Sequence, residues 1–327
     1  MEEPLVRTQN LKKYFPTARG LLHAVDDINI SIMRGETLGV VGESGCGKST
    51  LGRLLLRLIE PTSGEVFFDG ENILDYGKKS MTEMRKRMQI IFQDPYASLN
   101  PRMTVSEIIA EPIKVSGMLK NKDDIIERVF ELMGVVGLAE RFVNTYPHEL
   151  DGGRRQRIGI ARALALNPDF IVCDEPVSAL DVSIQAQILN LMMDLQDERN
   201  LTYMFITHNL SVVKHISDNI AVMYLGKCVE YAPTEELFSN PCHPYTKALL
   251  EAIPIPNLKY RRQLKVIKGE VTSPVNPKPG CRFEPRCPHA KPACQSPDLA
   301  AVEVSPNHFV TCTLYSERGL ERGGVAV

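Results

Sequence analysis

The sequence predicts an α/β fold, and three features carry that prediction. The short apolar run Thr37–Val41 precedes a glycine-rich loop, and a leucine-rich segment with helical periodicity follows at 50–58. A second apolar run, at 170–175, ends in two carboxylates and is typical of a buried strand. Between these runs, from about residue 100 to 148, apolar residues recur at helical spacing, which predicts an inserted helical subdomain.

Length and composition limit the classes of protein to consider. A chain of 327 residues exceeds the usual size of one hydrophobic core, so a large domain with an appendage, or two domains, is expected. The 43% hydrophobic and 24% charged residues are typical of a soluble globular protein, and a net charge of −2 does not suggest a nucleic-acid partner. No apolar run approaches the roughly 18 residues that span a bilayer, and the acidic start does not resemble a signal peptide. We therefore expect a cytoplasmic protein.

The glycine-rich loop fits the phosphate-binding pattern G-x-x-x-x-G-K-[ST]. Its glycines let backbone N–H groups face phosphate oxygens, and the following helix adds the partial positive charge of its N-terminus. Lys48 is expected to reach the β- and γ-phosphates, and the Ser49 hydroxyl to ligate Mg²⁺. The predicted nucleotide-binding residues of this segment are Gly42, Glu43, Ser44, Gly45, Cys46, Gly47, Lys48, Ser49 and Thr50. The motif predicts a protein that binds a nucleoside triphosphate.

Polar side chains at the ends of other predicted strands are candidates for catalysis. Asp174 is placed to complete Mg²⁺ binding through water, and Glu175 to activate or orient an attacking water. Gln93 ends another apolar strand, where it could meet a metal or a water. His208 also follows a core strand, although a lone histidine is more often structural than catalytic.

A helix is predicted to begin at 150–157, where Gly152 and Gly153 follow Asp151. Paired glycines at a helix N-terminus can expose N–H groups to an anion. The alternative is an ordinary helix cap, since aspartate is a good capping residue. The residues themselves leave both interpretations open.

Taken in order, these segments resemble the nucleotide-binding subunits of ABC transporters over roughly residues 5–235. The matching elements are Walker A at 42–49, the Q-loop at Gln93, the signature at 150–156, Walker B with its glutamate at 170–175, the D-loop at 178–181 including Asp181, and the H-loop at His208. The resemblance implies an ABC ATPase core at 1–240, with a mixed sheet, an antiparallel β subdomain and a helical subdomain at about 96–160. It also implies that Phe15 stacks on adenine, with Tyr14 as the next candidate.

The segment 240–250 and the body of the chain are similar to ATPases of oligopeptide and dipeptide importers. This resemblance implies an ATPase that powers peptide uptake from the cytoplasmic face of a prokaryotic inner membrane as a peripheral subunit. Its partners would be a second ABC ATPase subunit, two membrane-spanning permease subunits and an extracytoplasmic substrate-binding protein. Related importers of nickel, metallophores or glutathione are an alternative. A DNA-repair type of ABC ATPase is another, but it would need a long coiled coil between P-loop and signature, and sustained heptads are absent.

The signature departs from the pattern Leu-Ser-Gly-Gly-Gln of the family that it resembles, since it reads Leu150, Asp151, Gly152, Gly153, Arg154. In these ATPases each ATP lies between one subunit's Walker A and the partner's signature, where the usual serine donates to the γ-phosphate. An ionised Asp151 cannot donate, and two like unit charges about 4 Å apart repel by roughly 4 kcal/mol at an effective dielectric of about 20. Arg154 would offset part of that repulsion. We therefore expect an asymmetric heterodimer in which the Asp151 site is weak or silent.

Four cysteines, Cys281, Cys287, Cys294 and Cys312, cluster in a proline-rich extension at 241–327. Such a segment has little core of its own and is expected to be stabilised by a metal. The spacing lacks the C-x₂-C pairs of structural zinc, while four thiolates also suit an iron–sulfur cluster. Because some peptide-importer ATPases carry a [4Fe–4S] cluster at a similar place, the resemblance favours that cluster, with Zn²⁺ or free thiols as the alternatives. A metal-binding redox or sensing protein remains a third functional hypothesis.

Overall fold

The computed structural model describes residues 3–253, 269, 272–297 and 299–316. The chain divides into two units, the first made of Met1–Ile32, Thr37–Leu74 and Thr207–Val327, and the second of Met33–Glu36 and Asp75–Ile206. Within the described stretches, no helix combines the length and apolarity that crossing a membrane requires. The acidic start used in the signal-peptide prediction includes residues 1 and 2, which lie outside the described residues.

The first unit contains a small antiparallel sheet near the N-terminus. Its strands are β1 (Val6–Thr17), β2 (Gly20–Ile28), β3 (Ser31–Ile32), β5 (Ser63–Phe68) and β6 (Glu71–Asn72). They lie in the order β2-β1-β5-β6, with β3 also paired to β1. A single-turn helix follows at Ile73–Asp75. The sheet matches the antiparallel β subdomain that the resemblance to ABC ATPases implies.

The first unit also holds a second sheet with helices against it. Its strands are β4 (Thr37–Val41), β10 (Asn219–Tyr224), β11 (Lys227–Pro233), β12 (Val302–Ser305) and β13 (His308–Val310). The helices are α1 (Lys48–Leu55), α8 (Leu210–Ile216), α9 (Thr234–Ser239) and α10 (Pro244–Glu251), with short turns at Glu284–Arg286 and Pro292–Gln295. β4 pairs with β10 in parallel, while β11 pairs antiparallel with β10 and β13. All five residues of β4 are buried, so the glycine loop that follows starts from a fixed strand.

The second unit is built on three parallel strands. β7 (Met88–Ile91) pairs with β8 (Phe170–Asp174), and β8 pairs with β9 (Thr202–Ile206). Every residue of β8 and β9 is buried, as expected for parallel strands that are covered on both faces. The helices are α2 (Lys78–Arg87), α3 (Pro95–Ser98), α4 (Val105–Ser116), α5 (Lys122–Val135), α6 (Gly152–Leu164) and α7 (Val182–Arg199), with single turns at Glu140–Phe142 and Pro147–Glu149.

The predicted α/β fold class is confirmed, and helices α3 to α6 occupy the region predicted to be helical. The domain boundary at residue 240 stays a prediction. The described residues beyond it pack within the first unit, where β13 extends the sheet through β11 and Phe283 is 1% exposed. The sequence pattern did not predict this packing, because the hairpin strands β12 and β13 are only four and three residues long.

Candidate nucleotide-binding site

The loop between β4 and α1 has backbone conformations that require glycine. Gly42 has φ +153°, and a Cβ there would lie 2.1 Å from the Met223 carbonyl oxygen. Gly47 has φ +106°, and a Cβ there would lie 2.0 Å from the Ala24 carbonyl oxygen. The loop is therefore packed against its own unit at both ends. Gly45, between them, has open space around it, so the middle of the loop is accessible to a ligand.

Lys48 begins helix α1 and is 5% exposed. Its Nζ donates hydrogen bonds to the carbonyl oxygens of Gly42, at 2.8 Å, and Glu43, at 3.0 Å. The ammonium group thus lies inside the loop that precedes it. Cys46 is buried as well, and burial raises the pKa of its thiol, which keeps it neutral.

Two neighbouring aromatic residues of β1 have different environments. Tyr14 stacks on His23 with ring centroids 3.9 Å apart, and its hydroxyl donates to Asp26 at 2.5 Å. Burial and that hydrogen bond raise the pKa of Tyr14 above its usual value. Phe15 is half-buried and has the Lys13 ammonium 4.9 Å from its ring centre. Tyr14 is thus engaged within the protein, while the Phe15 ring remains partly accessible.

In the second unit, the ends of β7 and β8 bring two predicted catalytic side chains together. Gln93 Nε2 donates to Glu175 Oε2 at 3.0 Å, although 82 residues separate them in sequence. β7 ends at Ile91, so Gln93 lies two residues beyond the strand, in an exposed loop, and not at its last position as predicted. Glu175 has φ +48°, and its N–H donates to the Ile206 carbonyl oxygen at 2.9 Å. Asp174, one residue earlier, is 6% exposed.

The altered signature forms the start of helix α6. Asp151 is its N-cap, and the carboxylate accepts the backbone N–H of Arg154 at 2.8 Å. The Arg154 guanidinium also pairs with the other oxygen of that carboxylate. A Cβ at Gly153 would lie 2.7 Å from Ile184, and one at Gly152 would lie 3.0 Å from Leu180. The capping interpretation is confirmed, and the aspartate charge is paired with an arginine.

Two further predicted residues lie on exposed loops. Asp181 precedes α7 as its N-cap but makes no capping hydrogen bond with its side chain. His208, in the first unit, is exposed and follows Thr207, whose N–H donates to the Val40 carbonyl oxygen at 3.2 Å. The backbone before His208 is thereby tied to β4.

The four clustered cysteines lie near one another in the first unit. Burial, together with the charges of the other three cysteines, raises the pKa of the Cys281 thiol to about 11. Two backbone N–H groups, of His289 and Lys291, lie 3.4 Å from the sulfur atoms of Cys287 and Cys294 respectively. His289 is exposed. The cysteines are thus close enough to one another for their charges to interact.

Sequence reasoning missed a buried polar group beside this cluster. Glu230 accepts hydrogen bonds from the N–H groups of Cys242, at 2.6 Å, and His243, at 2.8 Å. Its Oε1 also lies 2.8 Å from His308 Nε2, and both side chains are at most 1% exposed. Glu230, Cys242 and His308 have ligand atoms within 4.8 Å of one another. Because the carboxylate has three hydrogen-bond partners, a buried ion pair accounts for this group.

Sequence reasoning also missed Arg286 as a residue of the nucleotide-binding loop's surroundings. This arginine binds the carboxylate of Glu43, a P-loop residue 243 positions away in the sequence. No local pattern connects two residues at that separation, so only the structure reveals the pair.

With the loop, the capped helix and the carboxylate strand in place, the chain has the elements of an ABC-type ATPase. Residues 25–178 match the family model described as ABC transporter, and residues 229–294 match that described as oligopeptide/dipeptide transporter, C-terminal region. Among solved structures, a dimeric ATP-binding cassette in a post-hydrolysis state bound to ADP and Pi aligns with TM-score 0.65 and 30% identity, over 70% of this chain and 98% of that one. The protein is an ATP-hydrolysing transporter subunit of this class.

Relatives over nearly the full length identify the family within that class. The chain is 51% identical to the oligopeptide transport ATP-binding protein AppF of Bacillus subtilis, over 96% of this chain and 98% of the relative. It is 54% identical to OppF of the same organism, over 96% and 97%, and 52% identical to the dipeptide transport ATP-binding protein DppF of Haemophilus influenzae, over 94% and 96%. The chain belongs to the oligopeptide and dipeptide transport ATP-binding proteins of the ABC transporter family.

Proposed function

We propose that this chain powers the uptake of dipeptides or oligopeptides through membrane-spanning partners. The observation that carries this proposal is the identity of about half of all residues to peptide-transport ATP-binding proteins, maintained through the C-terminal region. Two permease subunits, a second ATPase subunit and an extracytoplasmic substrate-binding protein complete the complex. The chain then acts at the cytoplasmic face of the inner membrane.

The predicted site residues have distinct roles in this proposal. Phe15 stacks on adenine, and the loop 42–50 binds the phosphates, with Lys48 at the β- and γ-phosphates. Mg²⁺ is held by Ser49 and Gln93, and by Asp174 through water. Glu175 is the general base, His208 contacts the γ-phosphate, and Gln93 links nucleotide state to the helical subdomain. The hydrogen bond between Gln93 and Glu175 supports this assignment, because it links the sensor to the base.

Purification of the assembled complex with its binding protein tests the proposed substrate. Peptide-loaded binding protein is expected to stimulate ATP hydrolysis, and mass spectrometry of the bound ligand is expected to find short peptides. A complex that responds to nickel, a metallophore or glutathione, and not to peptides, contradicts the peptide assignment. The ATPase assignment is unaffected by that result.

We also propose that the ATPase pair is an asymmetric heterodimer. This chain's Walker A works with the partner's signature and hydrolyses ATP, while the partner's Walker A meets Asp151, Gly152, Gly153 and Arg154. The side-chain ion pair of Asp151 with Arg154 supports a weakened site, because the carboxylate is already engaged and has no proton to donate. Asp181, in the D-loop, lies on an exposed turn suited to contacting the partner.

We propose further that Cys281, Cys287, Cys294 and Cys312 bind a [4Fe–4S] cluster. The donor set fits, because burial and the charges of neighbouring cysteines raise the pKa of Cys281, Cys287 and Cys312, so a cationic centre would be needed for these thiols to become thiolates together. When bound, the cluster ties four chain positions together and supplies a redox couple. Anaerobic purification is expected to give an absorbance band at about 400 nm with matching iron and sulfide content. A colourless protein that contains zinc contradicts the cluster and favours the alternative metal.

A further inference from the structure

An arginine of the cysteine-rich extension binds the P-loop directly. Arg286 Nη1 donates to Glu43 Oε2 at 2.9 Å, and Nη2 donates to Glu43 Oε1 at 3.1 Å. The Arg286 side chain is 7% exposed and that of Glu43 is 25% exposed. A bidentate ion pair of this kind fixes the direction of the carboxylate as well as its position. Burial of the arginine reduces the screening of the pair by salt.

Glu43 is held at three points, of which the arginine is one. Its backbone N–H donates to the Tyr245 hydroxyl at 2.9 Å, and its carbonyl oxygen accepts from Lys48 Nζ at 3.0 Å. Tyr245 is fully buried. A displacement of Glu43 would therefore change the position of the Lys48 ammonium, which is the group proposed to bind phosphate.

Aromatic side chains hold the arginine in place. The Tyr224 hydroxyl accepts from Arg286 Nη1 at 3.2 Å. Phe283 packs against Tyr224 and Tyr245 with ring centroids 5.3 Å and 5.4 Å away. We call Tyr224, Tyr245, Phe283 and Arg286 the P-loop clamp. Its three aromatic members are buried and belong to the core of the first unit.

Two members of the P-loop clamp lie on the turn that joins two of the clustered cysteines. The Glu284 N–H donates to the Cys281 carbonyl oxygen at 3.0 Å, and the Cys287 N–H donates to the Glu284 carbonyl oxygen at 3.1 Å. Phe283 and Arg286 lie inside this compact turn. Cys281 and Cys287 also pack against the same core as the aromatic rings. Cys287 is the residue directly after Arg286 and Cys281 lies five positions before it, so both sulfur atoms belong to the turn that carries the arginine.

We propose that Arg286 is a positioning residue for ATP binding, and that the ATP affinity of this subunit depends on whether the flanking cysteines are bound to metal. Arg286 acts through Glu43, which in turn orients the P-loop backbone and Lys48. Metal bound at Cys281 and Cys287 fixes the turn, and its loss lets the arginine shift. The second part rests on the metal site proposed above, while the first part does not.

The test measures ATP dissociation constants of the complete transporter complex carrying Arg286→Met, Arg286→Lys or neither. Arg286→Met is expected to weaken ATP binding about tenfold, because it removes two charge-assisted hydrogen bonds. Arg286→Lys keeps one donor group and is expected to give an intermediate value. The KM for ATP should rise by the same factor while kcat at saturating ATP changes by less than about twofold.

A matched control is Arg128→Met in helix α5. Arg128 also binds a carboxylate with both distances at 2.6 Å, that of Glu131, and its side chain is 14% exposed. The control loses the same chemical group from the second unit and is expected to leave ATP affinity unchanged. Equal loss of affinity in both variants, or no loss in Arg286→Met, overturns the positioning role. If Arg286→Met does not assemble, a wild-type affinity in Arg286→Lys overturns it instead.

The metal dependence is tested by measuring ATP affinity before and after chelation of the metal from wild-type complex, with metal content determined at each step. Removal is expected to weaken ATP binding in wild type and to add less than about twofold in Arg286→Met, since coupled changes are not additive. Full additivity, or an unchanged wild-type affinity after removal, overturns the coupling. A complex purified without iron or zinc also overturns the coupling, by refuting the metal site, while Arg286→Met still decides the positioning role.

Discussion

Glu175, the proposed general base, has an unusual backbone conformation. Its backbone is in the left-handed region at φ +48°, which few residues other than glycine and asparagine adopt readily. The bond from its N–H to Ile206 and the bond from Gln93 to its carboxylate hold that conformation. Strained backbone of this kind is retained where the surrounding structure requires it, often at functional sites.

Glu175→Gln is expected to lower ATP hydrolysis by the complex at least about 100-fold, because the proposed general base is lost while the side-chain shape is kept. ATP binding should remain within about twofold of wild type. Phosphate release and equilibrium nucleotide binding measure the two effects. Glu83→Gln is the control, since Glu83 is an exposed carboxylate paired with Lys86 on α2, and it should hydrolyse ATP normally. Near-normal turnover in Glu175→Gln would contradict the assignment of the base.

At the residue scale, the sequence could predict residues that belong to short motifs, but not contacts between residues far apart in the chain. The P-loop glycines, Asp174, Glu175 and the Asp151 cap follow from short patterns with a known physical reason. The sequence could not show that Tyr14 is engaged within the protein and Phe15 is not engaged in the same way. That difference depends on His23 and Asp26, which lie on the neighbouring strand. The contact of Arg286 with Glu43 could not be predicted either, because the two residues are 243 positions apart in the sequence.

At the scale of elements, two aspartates occupy equivalent helix positions with different bonding. Asp151 accepts an N–H at the start of α6, whereas the Asp181 side chain makes no such bond at the start of α7. Asp151→Ala is expected to lower the free energy of unfolding by about 1 kcal/mol. Asp181→Ala should change it by less than about 0.5 kcal/mol. Urea unfolding of the purified chain measures both, and equal losses would contradict the capping role.

The hairpin β12–β13 is joined to the core by a buried pair, His308 with Glu230. Burial alone would lower the pKa of His308, but hydrogen bonds with Cys242 and Glu230 outweigh it and raise the pKa from 6.5 to about 10. Glu236 and Tyr315 also lie close to this group. A raised folded-state pKa stabilises the fold fully below about pH 6.5, and that contribution is lost as pH rises through about 10.

His308→Gln tests this pH dependence. Wild type is expected to lose stability steadily between pH 7 and pH 10, while the variant should be less stable at pH 7 and show a shallower decline. Thermal unfolding across that pH range gives the comparison. His215→Gln, on helix α8, is a control in which the wild-type slope should persist. Parallel slopes for wild type and His308→Gln would show that the histidine is not the titrating group.

Sequence patterns did not predict the strands of the C-terminal extension. Its prolines and short strands have no periodicity long enough to read, so neither β12 nor β13 was predicted. By contrast, β8 was predicted because its apolar residues form a continuous run, and the whole strand is buried. The extension packs through isolated side chains, such as Phe283 and His308, whose partners are distant in the sequence.

At the scale of the whole molecule, the altered signature bears on the assembly. Asp151 both caps α6 and pairs with Arg154, so replacing it affects charge more than fold when the replacement is another capping residue. Asp151→Ser preserves the cap and restores a hydroxyl donor. It therefore separates the chemistry of the proposed silent site from the stability of the helix that carries it.

In the proposed heterodimer, Asp151→Ser is expected to raise the number of tightly bound ATP molecules toward two per complex. It is also expected to increase kcat by up to about twofold, since a second site would join one that already works. Nucleotide occupancy after rapid gel filtration and steady-state hydrolysis measure the two quantities. Asp123→Ser, in the first turn of α5, is the control for loss of an acidic side chain near a helix start. Unchanged occupancy together with unchanged hydrolysis in Asp151→Ser would refute the asymmetric arrangement, because the two sites would then already be equivalent.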